Sequence, residues 1–412
     1  MNAEIICVGT EILLGNIVNT NSAYLSNKLS EIGINLYYHT VVGDNEKRLL
    51  SAIEIAKSRS DLIILTGGLG PTYDDITKET VAKAFGKELY LDTASLEAIK
   101  EYFKKAEKPM TDNNIKQAYV ISGSTVLENN NGTAPGMVFS ENGITVAILP
   151  GPPNEMSLMY ENELLPILKS FSDKVFTSHT VRIYGIGESK VESDLKDMMV
   201  SFTDPTIAPY AKPGEVELRI TSASENKKEA DEKIFPIIKM LKEKYPDNLY
   251  GVDVPNLETQ LVKLYSEKKK TVAFAESCTG GLVAKRVTDV SGASSVIGFS
   301  AVTYSNNAKM TVLGVPDEVL SAYGAISSEC AKAMAKGIMN AAKADVGISV
   351  TGCAGPDMSE EKPVGLVYIG VCKKGAEPIS IELHLAKSKK PQRDTIRTLA
   401  ASRALFEAIK AI

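Results

Sequence analysis

The chain is expected to be a multidomain α/β protein, on three observations. Short apolar runs alternate with amphipathic helical stretches along most of its length, and several of those runs end in glycine-rich loops. Its 412 residues also suffice for two to three domains at about 150 residues each. Hydrophobic residues make up 44% and charged residues 24%, so each domain can bury a core without disulfides or metals as staples.

In the first segment, residues 1–170, Glu4–Val8 reads as a strand. Asn19 or Asn21 caps a helix carrying Leu25, Leu29 and Ile32, and Gly33 stops it. Leu36–Val42 reads as a strand, Glu46–Lys57 as a helix, Asp61–Leu65 as a buried parallel strand, Thr77–Phe85 as a helix and Thr145–Leu149 as a strand. Such alternation builds a mostly parallel sheet whose ligands lie beyond the carboxyl ends of its strands. The second segment, residues 171–252, reads βαββαβ: Thr177–Tyr184, Ser189–Met199, Thr206–Tyr210, Glu215–Ser222, Lys227–Lys244 and Asn248–Val252. That order is a small split-βαβ sandwich. It holds no cluster of catalytic residue types and is expected to be a spacer or dimerisation module, which makes a homodimer the expected assembly.

Val254-Pro255-Asn256 reads as a linker to the third segment, residues 256–412. There the expected elements are helix Leu257–Ser266, strand Val272–Ala275, a helix into Val287, strand Gly298–Tyr304, helix Ser327–Ala342 and strand Asp345–Thr351. The strand pair Leu366–Cys372 and Ser380–Leu385 and a final helix Pro391–Ala411 complete an α/β unit with an antiparallel portion.

The net charge of −5 argues against a dedicated nucleic-acid binder, and the basic runs Lys268–Lys270 and Lys387–Lys390 read as solvated helix ends or loops. Five cysteines without a C-x-x-C pair suit a reducing compartment and argue against a disulfide framework or zinc site. The N-terminus reads as a first strand rather than a signal peptide, and no apolar run approaches the roughly 20 residues of a membrane span, so a cytoplasmic protein without membrane contact is expected. With only His39, His179 and His384 available, the catalytic base is expected to be Lys, Asp or Glu.

Thr66-Gly67-Gly68-Leu69-Gly70-Pro71-Thr72-Tyr73-Asp74-Asp75 lies between a buried strand and a helix. It is neither a G-x-G-x-x-G nor a Walker A loop. Its glycines can bring backbone N–H groups close to a phosphate, and Asp74 and Asp75 stand where a bridging Mg²⁺ would be held. From local sequence, chain turning and helix capping is an equal alternative. Asp44 and Glu11 follow two other strand ends, and parallel strands bring their ends to one edge. In the third segment, Ser277 stands at a strand end before Thr279-Gly280-Gly281. Lys309 is the better candidate base, provided its pKa is lowered, and Tyr304 can relay a proton or orient the serine. Lone serines and lysines are common, so a helix cap and a surface lysine stay as the local alternative. Cys278 competes as nucleophile, against a reading as a small buried hydrophobe. The loop Thr351–Pro356, with Gly352 and Gly355, offers backbone donors at a further strand end.

Taken together, Val8–Gly15, Thr66–Asp75, Gly132–Gly136 and Pro150–Met156 resemble the molybdopterin-binding-like domain of the CinA (competence/damage-inducible) family over nearly all of the first segment. The resemblance implies a MoaB/MogA-type fold and a metal-dependent ADP-ribose pyrophosphatase. It places Asp44 and Asp75 at the acidic positions of the cleft, Thr66, Gly67, Gly68 and Gly70 in the phosphate loop, and Glu11 and Asp74 beside them. A divalent ion such as Mg²⁺ is implied, with a monovalent cation as a further candidate. Ala275–Gly281, Val302–Lys309, Gly352–Pro356 and Glu360–Gly365 are similar to a PncC-type nicotinamide-nucleotide amidase domain that needs no cofactor. That similarity implies Ser277 as nucleophile with Tyr304 and Lys309 as activating partners. Thr279, Gly280 and Gly281 are then phosphate contacts, and Arg393 and Arg397 candidates to pair with the same phosphate, beside a helix-surface role. The function so implied is bifunctional salvage of pyridine nucleotides. The alternatives are a competence- or DNA-repair-associated interaction protein and a pterin-binding module without hydrolase activity.

Overall fold

The computed structural model describes residues 1–171, 174–386 and 392–412. It divides into two compact units, Met1–Thr177 with Ala223–Asp231, and Ser178–Ser222 with Glu232–Ile412.

Unit 1 is built on strands β1 (Asn2–Val8), β2 (Asn35–Val42) and β3 (Leu62–Thr66) and helices α1 (Thr10–Leu13), α2 (Thr20–Glu31), α3 (Glu46–Lys57) and α4 (Thr77–Ala84). β4 (Leu89–Leu91), α5 (Thr93–Lys105), β5 (Tyr119–Ile121), β6 (Thr125–Leu127), β7 (Gly136–Glu141), β8 (Ile144–Leu149), α6 (Pro153–Met159) and α7 (Leu165–Lys169) follow. The main sheet runs β2-β1-β3-β8-β7-β6, with its first four strands parallel and β7 and β6 antiparallel. β1 and β3 are apolar runs because both sheet faces are covered. Ile6, Ile63 and Leu65 pack with Leu49 and Ile53 of α3, whereas Ile5, Leu62 and Ile64 pack with Leu25 and Leu29 of α2. This two-residue alternation sorts each strand between two cores. Asn19, not Asn21, caps α2, accepting from Ser22 N at 3.1 Å. The antiparallel β6–β7 extension and α5 were not anticipated.

In the middle segment β9 (Val175–Tyr184), α8 (Glu188–Ser201), β10 (Thr206–Lys212), β11 (Glu215–Ser224), α9 (Lys227–Lys244) and β12 (Leu249–Val252) form a sheet ordered β10-β11-β9-β12. This is the split-βαβ arrangement, with Val216, Leu218 and Ile220 on the buried face.

The rest of unit 2 contains α10 (Leu257–Glu267), β13 (Val272–Glu276), α11 (Leu282–Thr288), β14 (Ala301–Val302), α12 (Asn306–Leu313), α13 (Asp317–Tyr323) and α14 (Ser328–Ala342). It ends with β15 (Val346–Gly352), β16 (Leu366–Lys373), β17 (Ile379–His384) and α15 (Arg393–Lys410). The sheet order is β14-β13-β15-β16-β17, parallel across β14, β13 and β15 and antiparallel beyond. α14 lies on this sheet closely enough that a Cβ at Gly347 would stand 2.2 Å from the Ala335 carbonyl oxygen, and one at Gly370 2.1 Å from that of Ala331. α15 buries Ile396, Ala400, Ala404 and Ala408 on the other face. The strand expected over Gly298–Tyr304 shrinks to Ala301–Val302, and Ser305 caps α12 soon afterwards. α12 and α13 were not foreseen. Lys270 pairs with Asp345 at 3.0 Å beyond the end of α10, whereas Lys387–Lys390 and Pro391 lie outside the described residues. Among the described residues no helix is long and apolar enough to cross a membrane.

Candidate functional site

At the carboxyl edge of the parallel strands of unit 1 lies a cavity of about 750 Å³, within the range of small-molecule sites. Glu11, Asp44, Thr66, Gly67, Gly68, Gly70, Asp74 and Asp75 all line it. The loop after β3 needs glycine on steric grounds. Gly67 has φ +100°, and a Cβ there would stand 2.2 Å from the Val8 carbonyl oxygen. Thr77 fastens the loop to α4, its hydroxyl donating to Gly67 O at 2.7 Å and its N–H to Gly68 O at 3.2 Å.

The acidic groups are each held. Thr72 N donates to Asp75 Oδ2 at 2.9 Å, and the Thr72 hydroxyl donates to both Asp74 and Asp75. The hydroxyl of Thr72 holds the Asp74 carboxyl below its ordinary range. Thr10 N and Oγ1 donate to Asp44 Oδ2 at 2.9 and 2.8 Å. The Glu11 carboxylate lies over Gly9, where a Cβ would meet its Oε1 at 2.8 Å. Behind the loop, Lys116 Nζ donates to Thr72 O at 3.0 Å and to Asp75 O. Lys78 donates to Lys116 O, and burial pulls its ammonium down to about 8. The Thr66 hydroxyl is committed, donating to Pro150 O at 2.8 Å and accepting from Asn21 Nδ2 at 3.0 Å.

Among the described residues no three His, Cys, Asp or Glu side chains stand together as a metal cage. Mg²⁺ is commonly held by one or two carboxylates, waters and substrate phosphates instead. Asp44 and Asp75 suit that arrangement, since each fixes Oδ2 on a threonine and has no hydrogen bond at Oδ1 among the described residues. The cavity wall also favours a cation: among the described residues it carries five carboxylates, counting Glu155, and no basic side chain.

Asn21 and Glu155 are wall residues that sequence reasoning missed. Asn21 Nδ2 donates to Gly151 O at 2.7 Å as well as to Thr66, and its buried Oδ1 has no partner among the described residues. Glu155 sits in the first turn of α6, just beyond β8. That position was a readable signal, because β8 ends on the same sheet edge as β1 and β3.

In unit 2 the β13 end, the start of α12 and α15 converge on Ser277. Lys309 Nζ lies 3.4 Å from Ser277 Oγ and donates to Thr303 O at 3.0 Å and Tyr304 O at 3.4 Å. Lys309 is 1% exposed, and burial holds its ammonium below the ordinary lysine value. Cys278 is buried, and that burial pushes its thiol up to about 12, which suits a packed hydrophobe rather than a thiolate nucleophile. Tyr304 is exposed, and its Oη accepts from Arg393 Nη2 at 3.2 Å while Arg393 Nη1 donates to Gly355 O. The arginine thus ties the tyrosine to the loop after β15. Arg397 Nε and Nη2 donate to the carbonyls of Cys278 and Thr279 at 3.2 and 2.8 Å, so it holds the nucleophile loop from α15.

Glu276 was not foreseen. Only 1% exposed, its carboxylate accepts from the N–H groups of Gly281, Val283 and Ala284 at 2.9, 3.1 and 2.8 Å. The donors at the start of α11, expected to face a phosphate at Thr279, Gly280 and Gly281, are therefore partly taken by a carboxylate of this chain, and its charge opposes a second anion there. Thr279 is itself fully buried, and its hydroxyl has no partner among the described residues. The N–H groups of Cys278 and Thr279 make no hydrogen bond to another described residue, and both residues are buried. The signal for Glu276 was an acidic residue ending a fully buried apolar strand just before a glycine turn.

Comparison with known proteins matches residues 4–170 to the "Probable molybdopterin binding domain", 178–251 to the "Damage-inducible protein CinA KH domain" and 255–412 to the "CinA C-terminal domain". A protein of Caldicellulosiruptor bescii named for competence-damage induction is 52% identical over 375 residues, 91% of each chain. A CinA-like protein of Dictyoglomus turgidum is 49% identical over 376 residues, 91% of this chain and 92% of that one. Among solved structures, the CinA protein of Thermoplasma acidophilum is 38% identical, covering 40% of this chain and 97% of its own, with a TM-score of 0.38. Identity near one half over nine-tenths of the length places the chain in the CinA family, with a molybdopterin-binding-type first domain, a KH-type middle domain and a CinA C-terminal domain.

Proposed function

We propose that the chain is a two-site hydrolase of NAD breakdown products. Unit 1 hydrolyses ADP-ribose to AMP and ribose 5-phosphate with a divalent cation, and the C-terminal domain deamidates nicotinamide mononucleotide to nicotinate mononucleotide and ammonia. The observation that carries the reading is a lysine 1% exposed, 3.4 Å from a half-buried serine at a strand end. Desolvation favours the neutral amine, which is the form that can take the serine proton.

Ser277 Oγ attacks the carboxamide carbon as its proton passes to Lys309 Nζ. The oxyanion that forms is received by backbone N–H groups of the turn after Ser277 or of the loop Thr351–Pro356. The C–N bond then breaks, and Lys309 returns the proton to the departing nitrogen, giving ammonia and an acyl-serine. Water attacks the acyl carbon with its proton going to Lys309, and the collapse releases nicotinate mononucleotide and restores Ser277. Arg397 keeps the nucleophile loop in place, and Arg393 with Tyr304 closes the opposite side.

For unit 1, five carboxylates and no basic side chain in one wall repel a diphosphate unless a counter-cation enters with it. Asp44 and Asp75 would hold that cation, which when bound neutralises phosphate charge. The loop Gly67–Gly70 brings backbone to the phosphates, and Asn21 Oδ1 offers an acceptor to a ligand hydroxyl or amino group. A cytoplasmic location belongs to the same proposal and is supported by five free, buried cysteines. The name of the first-domain family favours a second reading, a pterin-binding module without hydrolase activity. Purified full chain is to be assayed with ADP-ribose, nicotinamide mononucleotide and molybdopterin in parallel. AMP and ammonia release support the proposal; pterin binding without either product replaces it.

A further inference from the structure

We propose that Glu155 is the general base of the unit 1 cavity, taking a proton from the water that attacks the pyrophosphate; this rests on the ADP-ribose reading above. The other four carboxylates of the wall stand at the ends of β1, β2 and β3. Asp44, Asp74 and Asp75 are tied to threonines, and Glu11 lies folded on Gly9. Glu155 comes instead from α6, beyond β8, and β8 is the hydrogen-bonded neighbour of β3. Its carboxylate and the phosphate loop therefore belong to adjacent strand ends. The loops themselves meet, since a Cβ at Gly151 would stand 3.4 Å from Gly67 Cα.

The carboxylate is held rather than free to swing. Asn129 Nδ2 donates to Glu155 Oε2 at 2.7 Å while also donating to Ala134 O at 2.8 Å. Gly132 leaves the space the carboxylate occupies, because a Cβ there would stand 2.0 Å from Oε2. Oε1 has no hydrogen bond among the described residues. One oxygen is thus oriented by an amide, and the other keeps its lone pairs for a water.

Burial raises the Glu155 pKa above the ordinary glutamate value, outweighing the opposing bond from Asn129. Glu11, Asp44, Asp74 and Asp75 line the main cavity with Glu155, and Glu128 and Glu163 line a small cavity on its other side. Among the described residues no Lys, Arg or His lines either one.

In the step itself, Glu155 takes one proton from water and the water oxygen bonds to one phosphorus. The bond from that phosphorus to the bridging oxygen breaks, and its electron pair stays on the bridging oxygen of the departing phosphate. AMP and ribose 5-phosphate leave, and Glu155 gives its proton to solvent.

The test compares Glu155→Gln and Glu155→Asp with the unmodified full chain at saturating Mg²⁺, measuring AMP release across pH and ADP-ribose binding by calorimetry. Glu155→Gln is expected to lower kcat by about 10²–10⁴-fold with affinity changed by less than about threefold, and to lose the acid limb of the kcat–pH profile. Glu155→Asp recovers part of the rate. If Glu155→Gln fails to fold, Asn129→Ala is expected to lower kcat and move the acid limb with binding retained. A kcat for Glu155→Gln within about tenfold of the unmodified protein, or an unmoved acid limb in Asn129→Ala, overturns the role of Glu155 alone. No AMP release from the unmodified protein overturns the ADP-ribose reading and this proposal together.

Discussion

Lys309→Met removes the group placed to take the Ser277 proton while keeping a long unbranched side chain in a site 1% exposed. General-base assistance contributes about 10²–10⁴-fold, or about 3–5 kcal/mol of transition-state stabilisation, and that is the expected fall in deamidation rate. Substrate affinity should barely change, because the loop is held by Arg397 and Glu276, which the substitution leaves in place. The fold should tolerate the change. Methionine abolishes the desolvation penalty of a buried ammonium, which offsets the lost hydrogen bonds to Thr303 O and Tyr304 O, each worth about 1–2 kcal/mol. The pH dependence has a definite sign. Lys309 must be neutral to act, and burial lowers its pKa, so activity rises with pH through a value below 10.5. Stability rises over the interval between that lowered value and 10.5, where the unfolded chain carries a proton that the folded chain does not. Both rises should vanish in Lys309→Met. The assay is ammonia release from nicotinamide mononucleotide across pH, with ligand binding and thermal melts measured separately. A variant within about tenfold of the unmodified rate, or one keeping the same rising limb, refutes the assignment of Lys309 as base.

Asp75→Asn keeps size and the bond from Thr72 N but removes the charge that would hold a cation. ADP-ribose hydrolysis at saturating Mg²⁺ should be lost and deamidation kept, as product analysis of both reactions in one preparation checks. Cys278→Ser should deamidate at nearly the unmodified rate and Ser277→Ala not at all; the reverse pattern in ammonia release would make the cysteine the nucleophile. Arg397→Lys loses the two-pronged grip on the carbonyls of Cys278 and Thr279, so kcat should fall by on the order of tenfold or more through misplacement of Ser277. An unchanged kcat with a raised KM would make Arg397 a substrate contact instead.

The local readings that succeeded rest on short-range physics. β1, β3, β13 and β15 were legible because a strand covered on both faces must be a continuous apolar run. The loops after β3 and β13 were legible because glycine at positive φ is demanded by the turns themselves. The middle βαββαβ was legible from the alternation of Val216, Leu218 and Ile220 and the clean helix between strands. Short β14 and helix α12 were not, since two residues make no pattern and the periodicity of α12 is weak, whereas α5 has a clear apolar stripe that was overlooked.

By itself the sequence determined the α/β class, the family and the strand-end loops that carry the candidate residues, because each of these depends on neighbours a few positions apart. Only the tertiary structure decided which side chains meet. Asn21 reaches Thr66 and Gly151 across 45 and 130 positions, and Arg397 reaches Cys278 across 119. Lys309 could be a base or a surface charge on sequence grounds. Its burial under α14 and beside β13 made it a desolvated amine, because the cost of a charge is set by everything packed around it and not by the residues beside it in the chain. Glu276 shows the same division. Its place at the end of a buried strand was readable, but its partners were known only once α11 had been brought back over it, where three peptide N–H groups make a buried carboxylate tolerable.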